Sequence, residues 1–383
     1  MGPMRDAVVI GAGIAGSGTA NALAGLGWDT VLVDQGTFPR HKVCGEFLSP
    51  ESRAVLAALG LEAAVVALHP VEMSRARLTL ASGASLEVPL PGVALGVSRY
   101  ALDAALHRAV RESGAEVRAG VTVTSVIPSE RGYRIEMRQR GWGTAIEARA
   151  VVAAWGRIRR TGLADRPAPL TPRSFIGVKT HFDGLEQRPV VELYFFPGGY
   201  VGVSPVEGGR VNVAALVTRQ TFLAAGRTPL RLIEAASRLN PALGRRLAAG
   251  RPVPGTQAAV APVNASRKLV AWDIVPHVGD AAMVIPPLCG DGMSIALRSA
   301  EWCAHLADRY LRGKLSLAAW RDEYTRALHR EMAAPLRWGR FLQAALGVPV
   351  VSDALLGLGR RMPGLAFRLV QATRLRTGRS PGL

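Results

Sequence analysis

The chain has 383 residues, 49% of them hydrophobic, and carries 47 lysines and arginines against 29 acids for a formal charge of +18. That length exceeds what one small core needs and suggests two or three domains. Only four of the cations are lysine and no basic run is interleaved with aromatics, so the charge reads as arginine-rich composition and argues against a nucleic-acid surface. The three cysteines, Cys44, Cys289 and Cys303, lack the number and spacing of a disulfide framework or a zinc site, which suits a metal-free protein of the reducing cytoplasm.

The N-terminal stretch "MGPMRDAVVIGAGIAGSGTANALAGLG" is interrupted by glycines and lacks the basic flank and cleavage site of a signal peptide, so it reads as mature structure. Ala7-Val8-Val9-Ile10 predicts a short buried strand, and Gly11-Ala12-Gly13-Ile14-Ala15-Gly16 a tight turn. Residues 17–26 predict a helix that Gly27 ends, and Thr30 to Val33 a second strand closing at Asp34. This is a βαβ unit with G-x-G-x-x-G at its first turn and an acid about twenty residues beyond. Gly11 permits the turn, Gly13 lets the backbone approach a pyrophosphate, and Gly16 allows close packing of helix on strand. The helix start, with Ile14 and Ala15, offers free N–H groups and a positive dipole end. Asp34 can accept hydrogen bonds from an adenosine ribose. The motif implies a dinucleotide and leaves FAD or NAD open.

Directly after this strand, Arg40, His41, Lys42, Cys44 and Glu46 crowd into seven residues. Arg40 and Lys42 can neutralise phosphate. Cys44 has a lowered thiol pKa if these cations converge on it; it can equally be a small buried residue on a close-packed turn. Glu46 reads as a helix-end acid in preference to a proton donor. Further along, "RARLTLASGASLEVPL" alternates as a hairpin, and residues 94–114 predict a helix capped by Ser98 with Arg99 at its start. "GAEVRAGVTVTSVI" and "TAIEARAVVAAWG" continue the first, mostly buried sheet.

The middle of the chain, "SFIGVKTHF", "VVELYFFPGGYVGVSPVE" and "GRVNVAALV", predicts at least three more strands. Val191, Leu193 and Phe195 face one way and Glu192, Tyr194 and Phe196 the other. Tyr194, Phe195, Phe196 and Tyr200 are expected either to make an apolar, aromatic pocket or to be sheet core. His181 is a candidate phenol-deprotonating base, although a lone histidine is more often structural. Residues 279–297, "GDAAMVIPPLCGDGMSIAL", place Gly279-Asp280 where a strand should end, with the acid set to bond a sugar or ribityl hydroxyl. Pro286 and Pro287 stop regular structure, and Gly290-Asp291-Gly292 leads into a helix from Met293 to Leu306. After about residue 330 the pattern is helical, mixing arginine with Trp338, Phe341, Leu342, Phe367 and Leu369. This part is expected to close the substrate cavity in preference to lying on an anionic membrane. No stretch reaches the twenty or so uninterrupted apolar residues of a spanning helix.

Taken in order, "DAVVIGAGIAGSGTANAL", "GVSRYALDAAL", "VVAAWGR" and "GDAAMVIPPLCGDGMSIAL" resemble the FAD-dependent oxidoreductases of the geranylgeranyl reductase and aromatic hydroxylase (group A flavoprotein monooxygenase) superfamily. The resemblance covers most of residues 5–325. It implies an α/β fold: a Rossmann-like FAD-binding domain of the glutathione-reductase type, an inserted, mostly antiparallel β-sheet substrate domain and a C-terminal helical segment. The corresponding boundaries are 1–75, 94–165 and 270–330 for the FAD-binding domain, 76–93 and 166–269 for the substrate domain, and 331–383 for the helical segment. It further implies that Gly11, Gly13 and Gly16 hold the ADP half, that Arg99 lies near pyrophosphate and flavin, that Gly279 and Asp280 hold the ribityl chain, and that Pro287, Gly290, Gly292 and Met293 flank the isoalloxazine. Arg40-x-Lys42-x-Cys44-Gly45 looks like the prenyl-reductase branch, in which the cysteine lies near the flavin.

The resemblance implies NAD(P)H as electron donor, but Trp155-Gly156-Arg157 stands where hydroxylases carry the Asp-Gly that joins FAD to that donor. Met283 replaces a common glycine and is expected to narrow the flavin pocket. Two reactions on a hydrophobic small molecule follow from the resemblance. The favoured one is hydroxylation of an aromatic, polyketide-derived or phenolic-lipid substrate through a flavin hydroperoxide; the alternative is reduction of isoprenoid double bonds.

Overall fold

The computed structural model of the chain describes residues 3–157, 174–264 and 267–375. Two sheets organise it. Strands β1 (Arg5–Ile10), β2 (Thr30–Asp34), β6 (Glu116–Ala119), β7 (Thr122–Ser129), β8 (Gly132–Gln139) and β9 (Trp142–Ala153) form a six-stranded sheet in the order β6-β2-β1-β9-β8-β7. β6, β2, β1 and the end of β9 pair in parallel, while β7 and β8 complete an antiparallel meander. The central parallel strands β1 and β2 are largely apolar, buried runs because helices cover them; β8 alternates because one face is open. Helices α1 (Ile14–Gly25), α4 (Arg99–Glu112) and α8 (Gly292–Leu311) supply that cover, with α2 (Ser52–Ala58) and α3 (Glu62–Val66) beside them. The Ser98 hydroxyl accepts a hydrogen bond from Ala101 N and starts α4 where the sequence predicts.

The second sheet has nine strands. β3 (Phe47–Leu48), β4 (Val71–Thr79), β5 (Ser85–Gly96), β10 (Phe175–Asp183), β11 (Val190–Phe196), β12 (Gly199–Pro205), β13 (Val211–Thr218) and β14 (Arg251–Pro252) run in the order β14-β10-β13-β12-β11-β4-β5-β3, and β15 (Ala258–Val263) pairs with β10. It is antiparallel except for the β4–β11 pair, in which Val190 aligns with Arg75 and Tyr194 with Thr79. The sheet takes in β3, β4 and β5 whole and so reaches from residue 47 to residue 96 before the chain returns to α4. One face packs on α6 (Pro229–Leu239) and α7 (Pro241–Leu247), next to α5 (Arg219–Ala224). The other looks toward α9 (Leu317–Leu346), α10 (Pro349–Arg361) and α11 (Pro363–Thr373).

Two elements differ from the sequence reading. α1 begins at Ile14, so Gly16 is inside its first turn, where an added Cβ would stand 1.8 Å from Gly11 O. The β-like residues before Gly279 form no ladder. They make isolated bridges only, Ala153 with His277 and Trp272 with Pro276, and Gly279–Ala281 is a 3-10 turn. Proline at 276 lacks the N–H a ladder would need. The proposed junction at 165/166 and residues 376–383 of the C-terminal segment lie outside the described residues.

Candidate functional site

The glycine turn is built by close backbone approach. Gly11 has φ +108°, and a Cβ there would lie 2.3 Å from Ala154 O at the end of β9. Gly13 is the N-cap of α1 and makes no side-chain cap; a Cβ on it would meet nothing within 4 Å. Open space therefore stands before a helix start, whose first N–H groups have no intrahelical acceptor. At the tip of β2, Asp34 Oδ2 accepts from Ala12 N (2.8 Å) and Oδ1 from Gly36 N (2.7 Å). These bonds fix the carboxylate against the turn and leave it lone pairs. A cavity of about 300 Å³ borders Asp34 and is lined by Phe38, His107, Arg111 and Arg118. His107 Nε2 lies 2.7 Å from Ala12 O, and its ring meets Phe38 edge-on at 4.2 Å. None of these four lining residues was singled out in the sequence.

The cations after β2 do not converge on Cys44. Arg40 turns back to Asp34 at 3.4 Å, and Lys42 pairs with buried Asp103 at 2.6 Å, so each already has its own carboxylate. Arg99 also binds Asp103, through Nε at 2.9 Å and Nη2 at 3.0 Å. The expected lowering of the Cys44 pKa is overturned: burial pushes the thiol up, with Arg99 and the Glu46 backbone N–H opposing only in part. The segment itself is tied to the large sheet, Asn212 Nδ2 donating to Cys44 O (3.0 Å) and Ser204 Oγ to Gly45 O (2.7 Å).

Glu46 lies in no helix itself, but its carboxylate meets the start of α4, as expected of a helix-end acid. It is fully buried at φ +56°. Its Oε1 accepts from Lys179 Nζ (2.7 Å) and from Arg99 N (2.9 Å), and Oε2 lies 2.6 Å from His181 Nε2. Burial alone would raise the Glu46 pKa, but the His181 hydrogen bond and the Lys179 charge hold it below the usual carboxylate range. His181 Nε2 is shared between Glu46 and Lys179, the latter at 2.8 Å, while Nδ1 has no hydrogen-bond partner, and the residue is 2% exposed. Its ring meets His41 edge-on at 5.3 Å, and His41 stacks on Tyr100 at 4.8 Å. Burial and the neighbouring Lys179 lower the His41 pKa.

The third element closes on the first. Gly279, at φ +58°, would put a Cβ 2.9 Å from the Ala15 Cβ, so the two glycine motifs abut. Asp280, its side chain 41% exposed, faces Arg157 at 3.4 Å. Pro287–Cys289 is a single 3-10 turn, Gly290 at φ +72° packs on Phe47, and α8 starts at Gly292 with Met293 buried behind it. Met283 narrows no pocket, because it is 1% exposed inside the core under the first sheet.

Between this loop and the large sheet lies an apolar cavity of about 280 Å³. Cys44, Gly45, Arg157, Pro287 and Gly290 form its polar end; aliphatic side chains such as Leu78, Val88, Val191 and Leu193 form one wall. Leu342, Leu346, Leu355 and Leu369 of the C-terminal helices form the other, which is the expected closure. The alternation along β11 is as predicted, and of the two expectations for the aromatics the sheet core holds for three of them. Of the four aromatics only Tyr200 lines the cavity; Phe195 packs against it at 5.6 Å, and Tyr194 and Phe196 face α6 and α7. Arg374, at the end of α11, reaches into this wall, forms a buried ion pair with Asp291 and lies 5.7 Å over the Phe47 ring. Among the described residues no cluster of potential metal ligands occurs.

Residues 4–320 match the family of the FAD binding domain. The menaquinone reductase of Mycolicibacterium smegmatis is 29% identical over 95% of this chain and 92% of its own. Digeranylgeranylglycerophospholipid reductase 2 of Methanopyrus kandleri is 31% identical over 76% of this chain and 74% of its own. Among solved structures, the myxobacterial FAD-dependent chondrochloren halogenase superposes with a TM-score of 0.78 at 22% identity, covering 89% of this chain and 82% of that one, a likeness of fold. The chain belongs to the FAD-binding-domain family and is an FAD-dependent oxidoreductase.

Proposed function

We propose that the protein reduces carbon–carbon double bonds of a polyprenyl lipid, the isoprenoid class of reaction, and that a prenylated quinone such as menaquinone is the first substrate to try. The carrying observation is the cavity: its walls are aliphatic over nearly their whole extent, and no free base points into it. A flexible isoprenoid chain fills such a space by dispersion and burial alone. A phenol would need a polar partner for its hydroxyl. Of the polar lining residues Arg157 is held by Asp280, Arg374 by Asp291 and Ser204 by Gly45 O, which leaves the Tyr200 hydroxyl, and His181 does not line the cavity. Two similar proteins are named menaquinone reductase and digeranylgeranylglycerophospholipid reductase 2.

The residues fit FAD. The open N-terminus of α1 at Gly13 would hold the pyrophosphate, with Ile14 and Ala15 supplying N–H groups, and the spare lone pairs of Asp34 the ribose. Gly279 and Asp280 would face the ribityl chain, and Pro287, Gly290 and Gly292 the ring system next to the cavity. Bound and reduced, FAD supplies a hydride equivalent. Arg40 and Lys42 act indirectly, by locking Asp34 and Asp103, and Asp103 in turn orients Arg99 beside Cys44. The buried aliphatic walls exclude water from the reacting carbon. Cys44 keeps its proton at Sγ at neutral pH because burial raises its pKa, and it stands at the cavity's polar end, so it can give that proton to the carbon that does not take the hydride.

The test is product mass. FAD-loaded protein, reduced chemically without oxygen and then with NAD(P)H as first candidate donor, is incubated with menaquinone. Gain of two hydrogens per reduced double bond in the prenyl chain, read after the ring has been reoxidised to the quinone in air, supports the reading; oxygen consumption with incorporation of oxygen into a phenol, and no such mass gain, overturns it.

A further inference from the structure

Seven of the sixteen large apolar side chains that are exposed among the described residues fall within residues 341–365. Phe341 (51% exposed), Val348 (49%), Val350 (80%) and Met362 (52%) all fall at the end of α9, along α10 or at its junction with α11. Scattered exposed apolar residues need no explanation, whereas a contiguous set marks an interaction site. The charge around them is one-sided: residues 333–375 contain six arginines, of which Arg337, Arg340, Arg360, Arg361 and Arg368 are exposed, and one acid, Asp353. Two further residues join this surface to the interior. Leu358 and Leu365 are 43% and 37% exposed, and both also line the apolar cavity, so its mouth lies within the patch.

We propose that α10, with the adjoining ends of α9 and α11, docks on the surface of a bilayer rich in anionic lipid, and that the cavity opens through this face toward the acyl layer. The apolar residues sink below the headgroups, and the arginines meet their phosphates. Among the described residues no single helix is long and apolar enough to cross a membrane, and α9 and α10 meet at a 113° bend, which suits helices lying in the interface. The docking stands whatever reaction the site performs; the access route for a lipid rests on the reductase reading.

The experiment floats FAD-loaded full-length protein with phosphatidylcholine vesicles, with and without phosphatidylglycerol. Binding is expected only with the anionic lipid, and high salt should release it. Arg361→Gln with Arg368→Gln should weaken binding by roughly fivefold per arginine. Val350→Glu with Met362→Glu should abolish it, with bound-FAD absorbance and melting temperature unchanged in both. Equal flotation on neutral vesicles, no flotation, or unaltered binding by both double variants overturns the proposal. So does resistance to high salt and alkaline carbonate, which would make α9 and α10 an inserted hairpin. Loss of a dimer in the Glu variants without any vesicle effect would also overturn it, assigning the face to a second copy of the chain. For access, the Glu variants should lose turnover on vesicle-borne menaquinone and keep it on detergent-dispersed menaquinone. Loss of flotation with turnover kept on both would overturn the route alone, and absence of turnover in the unmodified protein would fault the reductase reading alone.

Discussion

The glycine turn and the apolar cavity are made in opposite ways. The turn is a backbone device: Gly11, Gly13 and Gly16 within six residues, with Asp34 returning to bond Ala12 N. It is local, and a side chain at Gly11 or Gly16 would strike backbone. The cavity is a side-chain device assembled from β4, β5, β11 and three C-terminal helices, up to three hundred residues apart, and its walls are interchangeable aliphatics. The first tolerates almost no substitution and serves any FAD enzyme; the second tolerates many and selects the substrate.

The largest effect should come from the turn. Gly16→Val places branched carbon within 1.8 Å of Gly11 O, and we expect no FAD in the purified protein, measured by absorbance. Next is the charged tie between the two halves. Glu46→Ala strands Lys179 and His181 in a fully buried site, and a loss of about 3–5 kcal/mol in chemical denaturation is expected. Because the folded Glu46 pKa is depressed, its contribution is complete above the ordinary carboxylate range and is lost as pH falls through the folded value. The stability gap between the unmodified protein and Glu46→Gln should therefore shrink in acid and stay constant from mildly acidic to neutral pH.

Cys44→Ala should slow lipid reduction by about 10²-fold, the usual worth of a positioned proton donor, with FAD content intact; an unchanged rate removes Cys44 from the chemistry. Smaller still, Leu193→Trp narrows only the cavity. It should raise KM by roughly tenfold and leave the bound-FAD spectrum as it was. Loss of FAD in that variant would show that the turn and the cavity are not separable.

The same contrast explains what could be read in the chain. The βαβ unit, the Ser98 cap and the alternation along β11 depend on neighbours in sequence and are found where predicted. The Glu46 tie escaped notice because its partners Lys179 and His181 are 133 and 135 residues away, and nothing near Glu46 hints at them. Cys44 misled for the complementary reason: Arg40 and Lys42 are close in sequence, but folding gives each an acid, and Asp103 is 61 residues from Lys42. Arg374 and Asp291, 83 residues apart, follow the same pattern. Aromatic residues on β11 and β12 suggested a pocket, yet parity alone sends Tyr194 and Phe196 to α6 and α7.

The most direct test of the central claim, that the aliphatic cavity delivers a polyprenyl chain to FAD, is anaerobic stopped-flow reoxidation of the reduced, FAD-loaded protein on mixing with menaquinol, whose ring is already reduced so that only the prenyl double bonds can take the electrons, run beside Leu193→Trp. The account predicts FAD reoxidation without oxygen, with a lipid-concentration dependence that Leu193→Trp shifts to higher concentration. Reduced FAD that persists until oxygen is admitted, in both proteins alike, would contradict it.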